Sequence, residues 1–245
     1  MRIAIISDIH SNRVALQAVL ADAGAVDETW CLGDVVGYGP EPNECIEILR
    51  QREPRLICLA GNHDWAALGR LDTSDFNHDA EAAALWTRNR LTPSSRAYLE
   101  SLPERVIKGD FTLVHGSPRA PIWEYLISAA VARANFALLT TPYCLVGHSH
   151  IPFIFYEAVN RQDLPTVHTA SADKMIRLPE QRLFINPGSV GQPRDGNPHA
   201  SYAILDTGAK TIEHRRVPYS IKETQRLMEQ AGLPQRLIQR LEYGL

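Results

Sequence analysis

The chain has 245 residues, a length that suits one large domain better than two full ones. With 44% hydrophobic and 22% charged residues, it has the profile of a soluble globular protein rather than a disordered or fibrous one. Lys and Arg number 25 against 28 Asp and Glu, a net charge of −3; no dense basic run argues for a duplex-gripping surface, and no stretch reaches the roughly 18 apolar residues of a membrane span.

The opening MRIAIISDIH holds only a short apolar run after one Arg, too short for a signal peptide. Ile3 to Ile6 reads as a strand covered on both faces, because its apolar run is continuous. Leu16, Val19, Leu20 and Ala23 recur at helical spacing, and Thr29 to Leu32 is a second strand. Pro42 to Arg52 reads as a helix with Pro in its first turn, and Arg55 to Leu59 as a third strand. This βαβαβ order predicts a parallel sheet whose strand ends share one edge. Between Trp65 and Pro103 the pattern is helical, at Ala80 to Arg90 and Ser94 to Leu102. Residues 66–103 are therefore expected to form a small helical cap or insert over that edge. Phe111 to Val114 and Tyr143 to Val146 are further apolar runs. From Phe153 onward β-runs follow at Thr166 to Ala170, Leu183 to Ile185, Ser201 to Leu205 and Thr211 to Val217, expected to make a second sheet. The tail, 220–245, reads as two short helices broken near Gly232-Leu233-Pro234, so that 1–245 is one domain. Cys31, Cys45, Cys58 and Cys144 form no CxxC pair, which fits a reducing, cytoplasmic compartment.

Five apolar runs end in polar groups: Ser7-Asp8-Ile9-His10, Gly33-Asp34, Gly61-Asn62-His63-Asp64, His115-Gly116 and Gly147-His148-Ser149-His150. In open α/β sheets that edge is where ligands bind. Asp-x-His and Gly-Asp are each ordinary turn sequences when alone. Gly-Asn-His-Asp after a buried strand says more, and two imidazoles two residues apart in Gly-His-Ser-His are an odd choice for a plain loop. Asp8, His10, Asp34, Asn62, His115, His148 and His150 together offer enough oxygen and imidazole ligands for two divalent ions sharing one carboxylate. With no Cys among them, Mn, Fe, Co, Ni or Zn suits better than a thiolate-bound structural zinc.

In this order the motifs resemble those of the calcineurin-like metallophosphoesterase superfamily, over roughly residues 2 to 190. Gly33-Asp34-Val35-Val36-Gly37-Tyr38-Gly39-Pro40 and Asn186-Pro187-Gly188-Ser189-Val190-Gly191 resemble its small bacterial, phosphodiesterase-like branch. The resemblance implies two packed mixed β-sheets flanked by helices, a four-layer α-β-β-α fold. It places Asp8, His10, Asp34 and His150 on one metal, and Asp34, Asn62, His115 and His148 on the other. It further implies a metal-bridging hydroxide that attacks phosphorus in line, with His63 as the catalytic group that protonates the leaving oxygen or stabilises its charge. Asp64 would orient the His63 ring or be a solvated turn carboxylate. Two features depart from family patterns. Protein phosphatases of this superfamily carry Asp then Arg where this chain has Gly37 and Tyr38, so the Arg that grips a phosphate dianion is absent, and Ser11 replaces the Gly expected after His10.

Softer candidates flank these motifs. Asn12 would brace a ligand or touch substrate, Arg119 would meet a phosphate or lie at the surface, and His78 in the cap is placed to reach a substrate. Asn186, Pro187 and Gly188 would close a turn near the metals. His168, His199 and His214 have no motif context and read as structural or surface residues. Trp65, Trp86 and Trp123 would stack a base or fill a core. The expected activity is that of a phosphodiesterase: hydrolysis, dependent on two divalent metals such as manganese, of phosphodiester bonds in a small phosphorylated substrate, with nucleotides among the candidates. Hydrolysis of dinucleoside polyphosphates and a non-catalytic protein-binding scaffold of the same fold are the alternatives.

Overall fold

A computed structural model describes residues 1–74, 76–160, 163–170, 172 and 174–245; Asp75 of the predicted cap lies outside the described residues. Strand β1 (Arg2–Ile6) faces two cores. Ala4 and Ile6 point to a helical layer, Ile3 and Ile5 to a second sheet, which is why the run is apolar without alternation. Helix α1 (Arg13–Ala23) is capped by Asn12, whose Oδ1 accepts from the Ala15 N–H at 3.1 Å. It leads to β2 (Glu28–Cys31), then α2 (Pro42–Arg50) and β3 (Leu56–Cys58). All three strands run parallel, as the βαβαβ order requires.

Helix α3 (Asn62–Leu68) follows directly, and α4 (His78–Arg90) and α5 (Pro93–Glu100) form the predicted helical insert. A hairpin of β4 (Arg105–Lys108) and β5 (Phe111–Val114) comes next, then α6 (Ala129–Phe136) and β6 (Tyr143–Leu145). Strands β7 (Phe153–Tyr156), β8 (Thr166–Thr169), β9 (Met175–Arg177), β10 (Leu183–Asn186), β11 (Ala200–Asp206) and β12 (Thr211–Val217) complete the sheets.

Two six-stranded mixed sheets result, ordered β3-β2-β1-β11-β12-β9 and β4-β5-β6-β10-β7-β8. The second half of the chain does not build the second sheet alone, as its β-runs suggested. Strands β11, β12 and β9 complete the first sheet, with β11 antiparallel to the open edge of β1 and β9 at the far edge on β12, while β5 and β6 belong to the second. β11 is buried over Ala200–Leu205, so only a central position satisfies both its faces. Between the sheets lies a core of Ile3, Ile5, Trp30, Leu32, Leu113, Leu145, Ile185 and Leu205. Helix α6 covers the outer face of the second sheet with Ala132 and Phe136 against Val146, Phe155 and Phe184. The layers are thus α-β-β-α.

The tail forms α7 (Ile221–Gln230), α8 (Gln235–Gln239) and a final 3-10 turn at Arg240–Glu242, broken at Gly232-Leu233-Pro234 as read. Met228, Leu233, Leu237 and Ile238 pack with Ala80 and Ala83 of α4 and with Tyr38. The insert is therefore anchored to the tail by a small core of its own. All four cysteines are buried and unpaired, and among the described residues no helix is long and apolar enough to cross a membrane.

Candidate metal centre

Strand ends from both sheets meet at one place. Asp8, His10, Asp34 and His150 each bring a ligand atom within 4.8 Å of the others, and Asp34, His115 and His148 form a second such group. Asp34 belongs to both. Asn62 joins the second group, its Oδ1 3.1 Å from His115 Nε2. Each of these side chains is buried. Gly61 and Gly147 permit the approach, since a Cβ on either would sit 2.1 Å from Asp34 Oδ1 or Ser7 Oγ respectively.

Hydrogen bonds fix which atom each group presents. The Nδ1 atoms of His10, His150 and His115 face the carbonyls of Val36 (3.2 Å), Gln192 (2.6 Å) and Leu32 (2.9 Å). A carbonyl only accepts, so each Nδ1 carries a proton, and Nε2 is the atom each ring turns toward the site. His10 Nε2 and His150 Nε2 then lie 3.0 Å apart, lone pair to lone pair. His148 is reversed: its Nε2 faces the Trp123 carbonyl at 3.1 Å, leaving Nδ1 for the site. Asp8 Oδ2 accepts from the His148 N–H and Asp34 Oδ1 from the His63 N–H, while Asp8 Oδ1 and Asp34 Oδ2 have no hydrogen-bond partner. Asp34 Oδ2 lies 3.6 Å from His10 Nε2 and 3.4 Å from His115 Nε2. Buried lone pairs converging without donors are unfavourable unless a cation sits among them. The donor set, oxygen and imidazole nitrogen without sulfur, fits divalent first-row ions.

Electrostatics point the same way. Burial drives His10 and His150 well below the usual imidazole range and His148 down to about 3, so all three are neutral ligands. Burial, with the Asp34 charge alongside, pushes Asp8 up to about 7. Burial opposes ionisation of Asp34 too, but His115, by its charge and a hydrogen bond, outweighs it and holds the Asp34 carboxyl well below the ordinary range. His115, though buried, is raised to about 9, chiefly by Asp34. The cluster draws in a proton where positive charge is missing.

Backbone strain is concentrated here. Asp8, His10, Asp34, His148 and His150 all have positive φ, between 49° and 64°. Among the described residues the other non-glycine cases are Ser11, Tyr38 and Lys210, the first two beside the same motifs. Such conformations cost about 1–3 kcal/mol each and persist where surrounding structure enforces them. No periodicity argument could have shown this feature.

The remaining candidates separate clearly. His63 is 6% exposed and its Nδ1 has no partner; burial lowers its pKa to about 4. Asp64 neither orients that ring nor meets solvent. Its two oxygens accept from Val36 N–H (3.0 Å) and Gly61 N–H (2.9 Å), tying the second motif to the third. Among the described residues Asn12 hydrogen-bonds to no ligand side chain: its Nδ2 donates to the Gly191 carbonyl at 3.0 Å, and its Oδ1 accepts from Thr224 besides capping α1. Asn186 Nδ2 donates to the Gly147 carbonyl at 2.7 Å, and His214 Nε2 donates to the Asn186 carbonyl at 2.8 Å. That closes the expected turn of Asn186, Pro187 and Gly188, in which Gly188 has φ +80°. Arg119 pairs with Glu124, and the His78 side chain is 95% exposed in an outer groove with Arg236 and Arg240. The structure brings neither to the cluster. Trp86 packs in the insert's core under Arg90, and Trp65 does not line the site.

Beside the second group opens a cavity of about 430 Å³, lined by Tyr38, Asn62, His63, Phe76, Trp123 and Tyr125 among others. Tyr125 stacks on His148 with ring centroids 3.8 Å apart, and Phe76 meets Trp123 edge-on at 5.8 Å. Of the three tryptophans singled out, Trp123 alone reaches this wall. Tyr38, Phe76, Tyr125 and Arg194, which lies against Tyr38, were not anticipated; Tyr38 lies within a motif that was read, and Arg194 follows one closely.

Two stacked mixed sheets with an Asp/His cluster at one end define a fold in which the site belongs to the strand ends, and sequence comparison gives that class its name. Residues 1–210 match the calcineurin-like phosphoesterase superfamily domain, and the chain belongs to that superfamily. A metallophosphoesterase from Sphaerobacter thermophilus has the same fold at 49% identity and a TM-score of 0.92, with 100% of this chain and 99% of that one covered. An uncharacterized protein of Methanocaldococcus jannaschii is 42% identical over 252 residues, 99% of this chain and 98% of the relative. A symmetrical bis(5'-nucleosyl)-tetraphosphatase of Pseudomonas putida matches more locally, at 40% identity over 57 residues, 21% of this chain and 20% of that enzyme.

Proposed function

We propose that this protein is a phosphodiesterase that uses two divalent cations to hydrolyse a small phosphorylated substrate. The observation that carries the reading is the doubled ligand cluster sharing Asp34, with lone pairs already aimed inward. Asp8, His10, Asp34 and His150 would hold one cation, and Asp34, Asn62, His115 and His148 the other. When bound, such cations act as Lewis acids and bring a water's pKa toward about 7, so that a nucleophile exists at neutral pH.

The chain's own residues then position and stabilise. His63 stands on the cavity wall with an uncommitted Nδ1. Burial keeps its ring neutral, which suits a hydrogen-bond donor to the charge growing on the leaving oxygen better than a reservoir of acid. Tyr38, Phe76, Trp123 and Tyr125 give the cavity flat, apolar faces, fitting an aryl or nucleoside leaving group. The local match to a bis(5'-nucleosyl)-tetraphosphatase favours dinucleoside polyphosphates as a second reading, since they present the same phosphate-plus-base chemistry. The intact ligand set speaks for an enzyme over a scaffold, and the four unpaired cysteines for a reducing compartment such as the cytoplasm.

The test is hydrolysis of bis-p-nitrophenyl phosphate beside p-nitrophenyl phosphate by metal-stripped protein. Mn, Ni, Co, Fe(II), Zn or Mg is added back singly. Diester cleavage restored by a first-row ion and lost in Asp34→Asn is expected. A folded protein silent with every ion and with dinucleoside polyphosphates would overturn the reading.

A further inference from the structure

The second motif places Tyr38 where relatives that act on phosphoproteins have an arginine, yet the fold brings a guanidinium to that position from a distant segment. Arg194 lies on the loop after β10, with its Cζ 5.7 Å from the centre of the Tyr38 ring and Nη2 3.5 Å from the Tyr38 hydroxyl. Tyr38 in turn packs against His10 and His63, with ring centroids 4.7 and 4.3 Å away. The loop is tied to the ligand-bearing segment, because the Arg194 N–H donates to the His150 carbonyl at 3.3 Å. Gln192 Oε1 accepts from Nη2 at 2.8 Å and holds the side chain in place.

What Arg194 lacks is an anion. Arg13, Arg119, Arg182, Arg215, Arg216 and Arg226 each contact a carboxylate within 4.0 Å; among the described residues Arg194 contacts none. Its Nε is buried without a hydrogen-bond partner. A guanidinium held by neutral groups, against a Tyr38 ring that lines the cavity, is set up for a ligand that supplies oxygen lone pairs.

We propose that Arg194 grips the substrate's phosphoryl group, its free guanidinium donors binding non-bridging phosphate oxygens in the role vacated at Tyr38. The proposal rests on the phosphodiesterase reading above and adds the residue that anchors the anion. Arginine suits the role better than a generic cation, because its planar fork presents two parallel donors in fixed geometry whereas an ammonium acts as a point charge.

The experiment uses manganese-loaded full-length protein, with Arg194→Gln and Arg194→Lys. Inorganic phosphate binding is followed by calorimetry, bound manganese by mass spectrometry, and bis-p-nitrophenyl phosphate turnover by rate. Arg194→Gln is expected to weaken phosphate binding by about tenfold or more with manganese content unchanged. KM for the diester should rise more than kcat falls, and Arg194→Lys should recover only part of the phosphate affinity. Arg194→Gln with phosphate affinity within twofold of wild type would overturn the proposal, as would complete rescue by Arg194→Lys. Active wild type beside an unaffected Arg194→Gln discards the Arg194 role alone. Wild type that retains no manganese and cleaves no diester discards the parent reading and the proposal with it.

Discussion

Asp8, His10, Asp34, His148 and His150 sit at strand ends in left-handed backbone and are almost wholly buried. Trp123 and Tyr125, by contrast, lie on the connection between β5 and α6, and remain 39% and 44% exposed. The floor of the site is held by two sheets at once, so its ligand atoms have little freedom. The wall is held by connections and by the insert, whose α4 is anchored to the tail rather than to the sheets. One region suits ions, which tolerate little geometric error; the other suits a leaving group, whose shape can change while the chemistry stays the same.

Substitutions should separate the two. The largest effect is expected on the floor: Asp34→Asn should lower metal-restored diester turnover by about 10³-fold or more, because both ligand groups lose their shared carboxylate. His63→Ala, on the boundary, should cost about 10²–10⁴ in kcat with bound metal unchanged; turnover at the wild-type rate would remove His63 from the reaction. On the wall, Trp123→Ala should raise KM for an aryl or nucleoside diester by about three- to tenfold and leave kcat within about twofold. An equal loss in kcat and kcat/KM would instead place Trp123 in the floor's company.

A stability measurement sharpens the comparison from behind the floor. His214 is buried and hydrogen-bonded to the Asn186 carbonyl, and burial lowers its pKa to about 4. The unfolded chain therefore takes up a proton near pH 6.5 that the folded protein refuses until about pH 4. Stability from this group is full above pH 6.5 and is lost as pH falls through that window, by about 2 kcal/mol at pH 5. Urea unfolding at pH 7 and pH 5 should show His214→Gln losing less stability between the two than wild type does. Equal losses would mean that His214 does not titrate across the window.

The floor was legible in the sequence because its chemistry is carried by residue types: Asp8-x-His10, Gly61-Asn62-His63-Asp64 and Gly147-His148-x-His150 declare themselves wherever strands end. Sheet membership was not, since the apolar run at 201–205 suits either sheet and only its pairing with β1 decides. Strand β4 escaped notice because Arg105 and Lys108 are what an exposed edge favours, not what a buried strand shows. The Ala-rich helix α6 had no anticipated place between the motifs around it. Arg194 was unreadable for a different reason: it meets Tyr38 across 156 positions, and a lone arginine carries no mark of its neighbours.

The most direct test of the central claim is the number of manganese ions retained by the reconstituted chain, counted by mass spectrometry beside Asp34→Asn. Two per chain in wild type, falling to one or none in the variant, is the expected result. A single ion in wild type, or two in Asp34→Asn, would contradict a pair of cations sharing that carboxylate.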